Sequence, residues 1–236
     1  MTRNLKALGL ALLAVSSMGA MTASSASAVT DIMTVDNGTQ ATVTAISHDH
    51  VFTTAGTKFE CTTAKFTSTV VDGGSTFTVT ASYEGTTNVV PHTTHCAGIF
   101  GTLTIDMNGC DYKLTGHTDA DHSPEVDSHG RIWIECPVNQ EIVMTNSTCT
   151  IRVPAQTPTE GGFTYTNQLD GTIWDVQAEI TVTGITYTAT HSFACTLAGL
   201  KPEGNDATYT GTATLTGYED TGTHTHNNNP TGITVS

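Results

Sequence analysis

The chain has 236 residues, of which only 13% are charged, and its 22 acidic residues outnumber its 8 Lys and Arg residues to give a formal net charge of −14. Affinity for a phosphate backbone comes from Lys and Arg displacing counterions, so this balance excludes nucleic acid as a partner. The length fits one all-β domain. Hydrophobic residues, at 37%, can form a core if alternate positions face inward.

The first 28 residues predict a secretory signal peptide. Arg3 and Lys6 precede an apolar run over 7–15, and a stretch of small residues ends at Ala28. The run is much shorter than the roughly 20 residues that span a bilayer. We therefore expect a secreted, extracellular protein without a membrane span. Residues 1–28 would be the signal peptide, 29–218 a single β domain and 219–236 a C-terminal tail with a possible short last strand.

Apolar and polar residues alternate through most of the remaining chain, which predicts an all-β fold. Threonine, present 49 times, has a high β propensity and suits the wet face of a strand. We call a set of alternate strand residues whose side chains face the core an inward row. Inward rows are predicted at 77–83, 132–136, 149–153, 174–182, 185–195 and 209–215. Gly184 marks either a tight hairpin or a bulge in one long strand. About ten strands with short turns predict a disulfide-stapled antiparallel β-sandwich, with a β-barrel as the alternative.

The clearest predicted unit is a hairpin over 102–115. Asn108-Gly109 is a favoured two-residue turn because both residues accept positive φ. With that turn all the apolar side chains of the hairpin would share one face. The predicted facing pairs are Met107 with Cys110, Ile105 with Tyr112, and Leu103 with Leu114.

Six cysteines in an exported chain predict three disulfides. The residues are Cys61, Cys96, Cys110, Cys136, Cys149 and Cys195. Many connectivities are open, and we prefer Cys136–Cys149 across a hairpin and Cys61–Cys96 across one or two strands, which leaves Cys110–Cys195. A thiolate metal site is disfavoured because no Cys-x-x-Cys spacing occurs.

An acidic loop over 116–130 is the main candidate for an ion. Its potential ligands are His117, Asp119, Asp121, His122, Glu125, Asp127 and His129. The carboxylates would suit calcium and the imidazoles zinc. The favoured alternative is a solvated polar loop without a cofactor. His48-Asp49-His50 and His224-Thr225-His226 each place two imidazoles on one side of an extended strand, a spacing that suits a first-row metal.

No catalytic residue is predicted. The chain has no Gly-x-Ser-x-Gly elbow, and its paired carboxylates lie on a loop, so an enzyme is the minority interpretation. We expect a secreted binding or structural module whose partner is an unknown extracellular ligand or a component of the cell envelope. The alternatives are a secreted hydrolase or metal-dependent enzyme using the 116–130 loop, and a passive component of a cell-surface layer.

Five segments carry a resemblance to a known group of proteins. They are Met107–Tyr112, Ile134–Pro137, Cys149–Ile151, Phe163–Asn167 and Tyr209–Thr214. Over approximately 61–218 the chain resembles exported, Thr-rich, six-cysteine proteins of soil actinobacteria, a paralogous group without an assigned activity. The resemblance implies no catalytic residue. The 116–130 loop and the His224–His226 tail depart from it.

Overall fold

A computed structural model describes residues 29–30, 33–36, 38–54, 57–84, 96–98, 101–116, 118–119, 128–157, 160–190, 192–197, 199–220 and 226–235. The predicted signal peptide lies outside these residues.

The described chain is almost entirely β-strand, with one short helix, α1 (Phe193–Leu197). The strands are, in chain order, β1 (Val29–Thr30), β2 (Met33–Val35), β3 (Gln40–Thr54), β4 (Thr57–Cys61), β5 (Thr63–Val71), β6 (Thr76–Glu84), β7 (Cys96–Gly98), β8 (Gly101–Asp106), β9 (Asp111–Gly116), β10 (Thr118–Asp119), β11 (Ser128–Glu135), β12 (Glu141–Thr145), β13 (Thr150–Pro154), β14 (Glu160–Asp170), β15 (Ile173–Ala189), β16 (Glu203–Asp220), β17 (His226–Thr231) and β18 (Ile233–Val235). No helix in the described part of the chain has the length and apolar character needed to cross a membrane.

Fourteen of the strands form one antiparallel sheet that closes on itself. Its pairings make two rings of eight strands each. Ring 1 runs β3-β5-β6-β9-β11-β14-β15-β16, and ring 2 runs β3-β4-β7-β8-β12-β13-β15-β16. The long strands β3, β15 and β16 belong to both rings. Two small sheets, β1–β10 and β2–β18, complete the pairing.

The three shared strands are irregular where they pass from one ring to the other. In β3, Asp49 has a φ of 63°, and in β15 Gly184 has a φ of 70°. The register of β16 shifts between Thr210 and Thr212. A bulge adds a residue on one strand and re-aims the side chains beyond it. Gly184 is therefore a bulge in one long strand and not a hairpin.

The core consists of the inward residues of both rings. Alternate residues of most of the predicted rows are buried, for example Phe77, Val79, Ala81 and Tyr83 on β6. Met33, Val35 and Ile233 of the β2–β18 sheet join the same core. Inward faces of facing strands pack together as in a sandwich. The predicted all-β, antiparallel, disulfide-stapled fold is confirmed.

The row predicted over 185–195 ends early. Ile185 and Tyr187 are buried, but β15 stops at Ala189, and Phe193 lies on α1 with 83% of its surface exposed. At the other end of β15, Trp174 is 39% exposed and does not lie fully inside the core.

The predicted hairpin over 102–115 is wrong, although its turn forms. Asn108 and Gly109 both have positive φ, and Cys110 N donates to Met107 O at 2.7 Å. The flanking strands nevertheless pair with different neighbours, β8 with β7 and β12, and β9 with β6 and β11. The turn thus joins ring 2 to ring 1.

Three disulfides form, and no described cysteine is free. Cys61–Cys96 is confirmed, whereas the other bonds are Cys110–Cys136 and Cys149–Cys195, so the two remaining preferred pairings are wrong. Cys136 and Cys149 lie at opposite ends of β12, a strand that spans roughly 16 Å. A disulfide needs a Cα separation below about 7 Å. Cys136 instead continues the β9–β11 ladder beside Cys110, at a Cα separation of 4.0 Å.

Candidate functional site

Five polar side chains form a continuous hydrogen-bonded chain in the core, which we call the His–Tyr chain. His50 Nε2 lies 2.5 Å from Ser47 Oγ, and His50 Nδ1 lies 2.6 Å from the Tyr209 hydroxyl. The Tyr83 hydroxyl lies 3.1 Å from that of Tyr209 and 2.7 Å from that of Tyr112. Since Ser47, His50 and Tyr209 lie on shared strands, the His–Tyr chain sits where the rings meet.

The bulge at Asp49 brings Ser47 and His50 to the same side of β3. In a regular strand, residues three apart point to opposite faces. Ala41, Val43, Ala45 and Ser47 are buried before the bulge, and His50, Phe52 and Thr54 are buried after it. The positive φ of Asp49 therefore shifts the alternation by one residue and turns His50 inward.

Gly211 on β16 leaves the space that the imidazole fills. A Cβ at this position would lie 2.3 Å from His50 Nδ1, well inside van der Waals contact. The imidazole also stacks on Tyr209, with ring centroids 5.6 Å apart, and meets Tyr83 edge-on at 6.0 Å. Packing thus holds both imidazole nitrogens against their hydrogen-bond partners.

The three tyrosines keep their hydroxyl protons. Loss of hydration on burial raises the pKa of Tyr83, Tyr112 and Tyr209 well above the ordinary value for tyrosine. Interaction with a neighbouring tyrosine is the second cause for each of them. At neutral pH these phenols are therefore uncharged groups that can both donate and accept a hydrogen bond.

The imidazole and the three phenols of the His–Tyr chain line a cavity that is enclosed mainly by strands of ring 2, with β6, β9 and β11 of ring 1 closing one side. We call it the ring 2 cavity. The volume of this cavity is about 60 Å³. His50, Tyr83, Tyr112 and Tyr209 are among its lining residues, and the rest are apolar or disulfide-bonded. Those residues are Phe52, Phe59, Cys61, Ile105, Ile132, Ile134, Ile142, Met144, Val153, Val182 and Ile185. A second void of about 40 Å³ lies in ring 1, and Tyr112 and Ile132 line both.

An apolar cavity with a few convergent polar groups is the usual form of a small-molecule site. One water-sized group needs roughly 10–15 Å³ of such space, so the ring 2 cavity has room for about four to six groups. The Ser47–His50 contact has the form of a nucleophile and its base. Ser47, however, is only 1% exposed and does not line the cavity, so the arrangement favours binding over covalent catalysis.

The predicted ion site falls mostly outside the described residues. Five of the seven predicted ligands are not among the described residues: His117, Asp121, His122, Glu125 and Asp127. The backbone of Asp119 pairs with Val29 in β10, and that of His129 pairs with Thr164 in β11. Within the described ranges no three side chains of His, Cys, Asp or Glu converge as metal ligands.

The predicted metal pair at His48 and His50 is wrong for His50. Both nitrogens of His50 already have partners in the His–Tyr chain, so neither is available to a metal. The other pair is not tested, because His224 lies outside the described residues and His226 is placed only as the first residue of β17.

The sequence contained a signal for the His–Tyr chain that alternation alone did not reveal. Tyr83, Tyr112 and Tyr209 were all predicted on inward rows, where a buried hydroxyl needs a partner. Three inward phenols that each need a hydrogen-bond partner point to a polar cluster in the core. His50 was missed because the alternation of a regular β3 places it on the same face as His48.

Comparison of the chain with protein-family models, with curated proteins and with solved structures finds no match, so its function is inferred from the site itself.

Proposed function

We propose that this protein is an exported binding module that holds a small, mostly apolar molecule in the ring 2 cavity. The observation that carries the proposal is the convergence of one imidazole and three phenols on a single wall of an otherwise apolar cavity. Three disulfides suit an oxidising compartment such as the extracellular space. The resemblance to exported six-cysteine proteins agrees with this proposal and stays a prediction.

The size of the cavity limits both the ligand and its affinity. About four to six water-sized groups correspond to a molecule with a similar number of non-hydrogen atoms, or to the end of a longer apolar chain. At no more than about 1.5 kcal/mol per non-hydrogen atom, a ligand of this size gains at most about 6–9 kcal/mol, which corresponds to a Kd no tighter than roughly 0.3 μM. We expect weaker, millimolar binding for a simple probe.

The test is methyl NMR of the folded protein titrated with butanone and with isopentane, two uncharged probes of suitable size. We expect saturable shifts at Met144, Ile134 and Val182, which line the cavity. Val35 and Val70, which are buried elsewhere in the core, should not respond. Absence of saturable shifts at the cavity methyls for both probes would contradict the proposal.

A matched pair of variants assigns the binding to this cavity. Val182→Ile adds a methyl group to the lining, whereas Val70→Ile adds the same group at an equally buried position away from it. We expect Val182→Ile to weaken binding of both probes and Val70→Ile to leave it unchanged. Equal effects of the two variants would place the binding elsewhere.

A further inference from the structure

We propose that the ligand of the ring 2 cavity is uncharged and carries a carbonyl or ether oxygen, and that its binding selects the tautomer of His50 in which Nδ1 bears the proton. This inference rests on the proposed function. It follows from the number of hydrogens in the His–Tyr chain.

The His–Tyr chain has one more polar hydrogen than it has hydrogen-bond contacts. Each hydroxyl brings one polar hydrogen, and a neutral imidazole also brings one. Its five members are joined by four contacts, each of which uses one hydrogen. With a neutral imidazole, one hydrogen is therefore left over in every arrangement that makes these four contacts.

The tautomer of His50 decides where this spare hydrogen lies. If Nδ1 bears the proton, it donates to Tyr209, and Ser47 donates to Nε2. The three phenols then have three hydrogens for the two contacts among them. One tyrosine O–H remains unused, and all three tyrosines line the cavity.

If Nε2 bears the proton, the spare hydrogen moves away from the cavity. His50 then donates to Ser47, and Tyr209 donates to Nδ1. The hydrogens of Tyr83 and Tyr112 are consumed by the two contacts among the phenols. The spare hydrogen is on Ser47, which does not line the cavity, so the wall can accept hydrogen bonds but has no O–H to donate.

The lining also disfavours a charged ligand. Among the described residues that line the cavity there is no Lys, Arg, Asp or Glu side chain. Transfer of an unpaired charge from water into such a site is strongly unfavourable. An uncharged acceptor oxygen can instead take the spare O–H without leaving a polar group unpaired.

The experiment records the ¹⁵N resonances of the His50 imidazole in the butanone complex, assigned with the variant His50→Gln. Protonated and unprotonated ring nitrogens have well-separated shifts, so the tautomer is read directly. We expect the ¹⁵N chemical shift of Nδ1 to be that of a protonated nitrogen and the ¹⁵N chemical shift of Nε2 to be that of an unprotonated one. Butyrate, the charged control, should cause no saturable shift of the cavity methyls.

Two variants separate this effect from a merely structural one. Tyr209→Phe cuts the His–Tyr chain and leaves Tyr83 and Tyr112 with two hydrogens for one contact, so a spare O–H is present whichever tautomer His50 adopts. Butanone should still bind, but it should no longer move the His50 resonances. Tyr112→Phe only shortens the His–Tyr chain, so its butanone complex should keep the Nδ1-protonated form.

The outcomes distinguish the two proposals. A butanone complex with the Nε2-protonated tautomer, or saturable binding of butyrate, would overturn this inference and leave the proposed function standing. Binding of isopentane without binding of butanone would do the same. Failure of both uncharged probes would overturn the proposed function.

Discussion

Replacement of Gly211 by alanine tests whether the imidazole of His50 occupies the space that this glycine leaves. The new methyl group would lie 2.3 Å from His50 Nδ1, whereas ordinary contact begins near 3.4 Å. Either the imidazole or β16 must therefore move by about 1 Å. A movement of that size breaks the 2.6 Å hydrogen bond between His50 and Tyr209.

The expected cost has two parts. Overpacking of a filled core costs about 1–3 kcal/mol. Leaving a buried donor or acceptor without a partner costs a further 1–3 kcal/mol or so. Gly211→Ala should therefore lower the free energy of unfolding by about 2–6 kcal/mol, a large part of the roughly 5–15 kcal/mol typical of a domain. Urea unfolding followed by circular dichroism measures the loss, and the m-value should stay unchanged.

A double-mutant cycle with His50→Ala shows whether the cost comes from the imidazole. Without the imidazole, the added methyl group meets empty space, so Gly211→Ala should cost much less in the His50→Ala background. If Gly211→Ala alone does not fold, recovery of folding in the double variant gives the same answer. An equal cost in both backgrounds, or a cost below about 0.5 kcal/mol in the wild type, would refute the reasoning.

Three further predictions address other parts of the molecule. The folded-state pKa values of the three tyrosines in the His–Tyr chain exceed the unfolded value near 10, so their contribution to stability is complete below about pH 10 and is lost as pH rises above it. Their absorbance as phenolate should thus appear only together with loss of the far-ultraviolet β signal, and earlier ionisation in the folded protein would contradict this. Replacement of Cys110 and Cys136 together by serine should lower the free energy of unfolding by about 3.5 kcal/mol, the chain-entropy value for residues 26 apart. In the wild type, peptide mapping without reduction should recover these two cysteines as a linked pair. Burial raises the pKa of the Asp175 carboxyl, so its ionisation opposes folding and Asp175→Asn should gain stability relative to the wild type as pH rises from about 4 to 7; a difference that does not change with pH would refute this.

The strand rows could be predicted from the sequence because alternation is a local property. Phe77, Val79, Ala81 and Tyr83 are two residues apart, and a strand places such residues on one face whatever its neighbours are. The same reasoning explains why the all-β fold was predicted correctly, whereas the disulfides were predicted from the number of cysteines in a chain with a predicted signal peptide.

The partners of those strands depend on contacts between distant residues. Asn108-Gly109 predicts a tight turn, and that turn forms, but a turn does not require the flanking strands to pair with each other. The pairing of Cys110 with Cys136 followed from the ladder between β9 and β11, which no local pattern reveals.

The candidate site depends most strongly on the tertiary structure. A single residue with positive φ, Asp49, shifts the alternation of β3 and turns His50 from a surface residue into a core residue. That conformation is maintained because Gly211, 161 positions later in the sequence than His50, leaves room for the imidazole, and because Tyr209 supplies a hydrogen-bond partner. Alternation by itself determined which regular strand positions face inward, whereas the placement of the bulge was decided by contacts that exist only once β3 and β16 are paired.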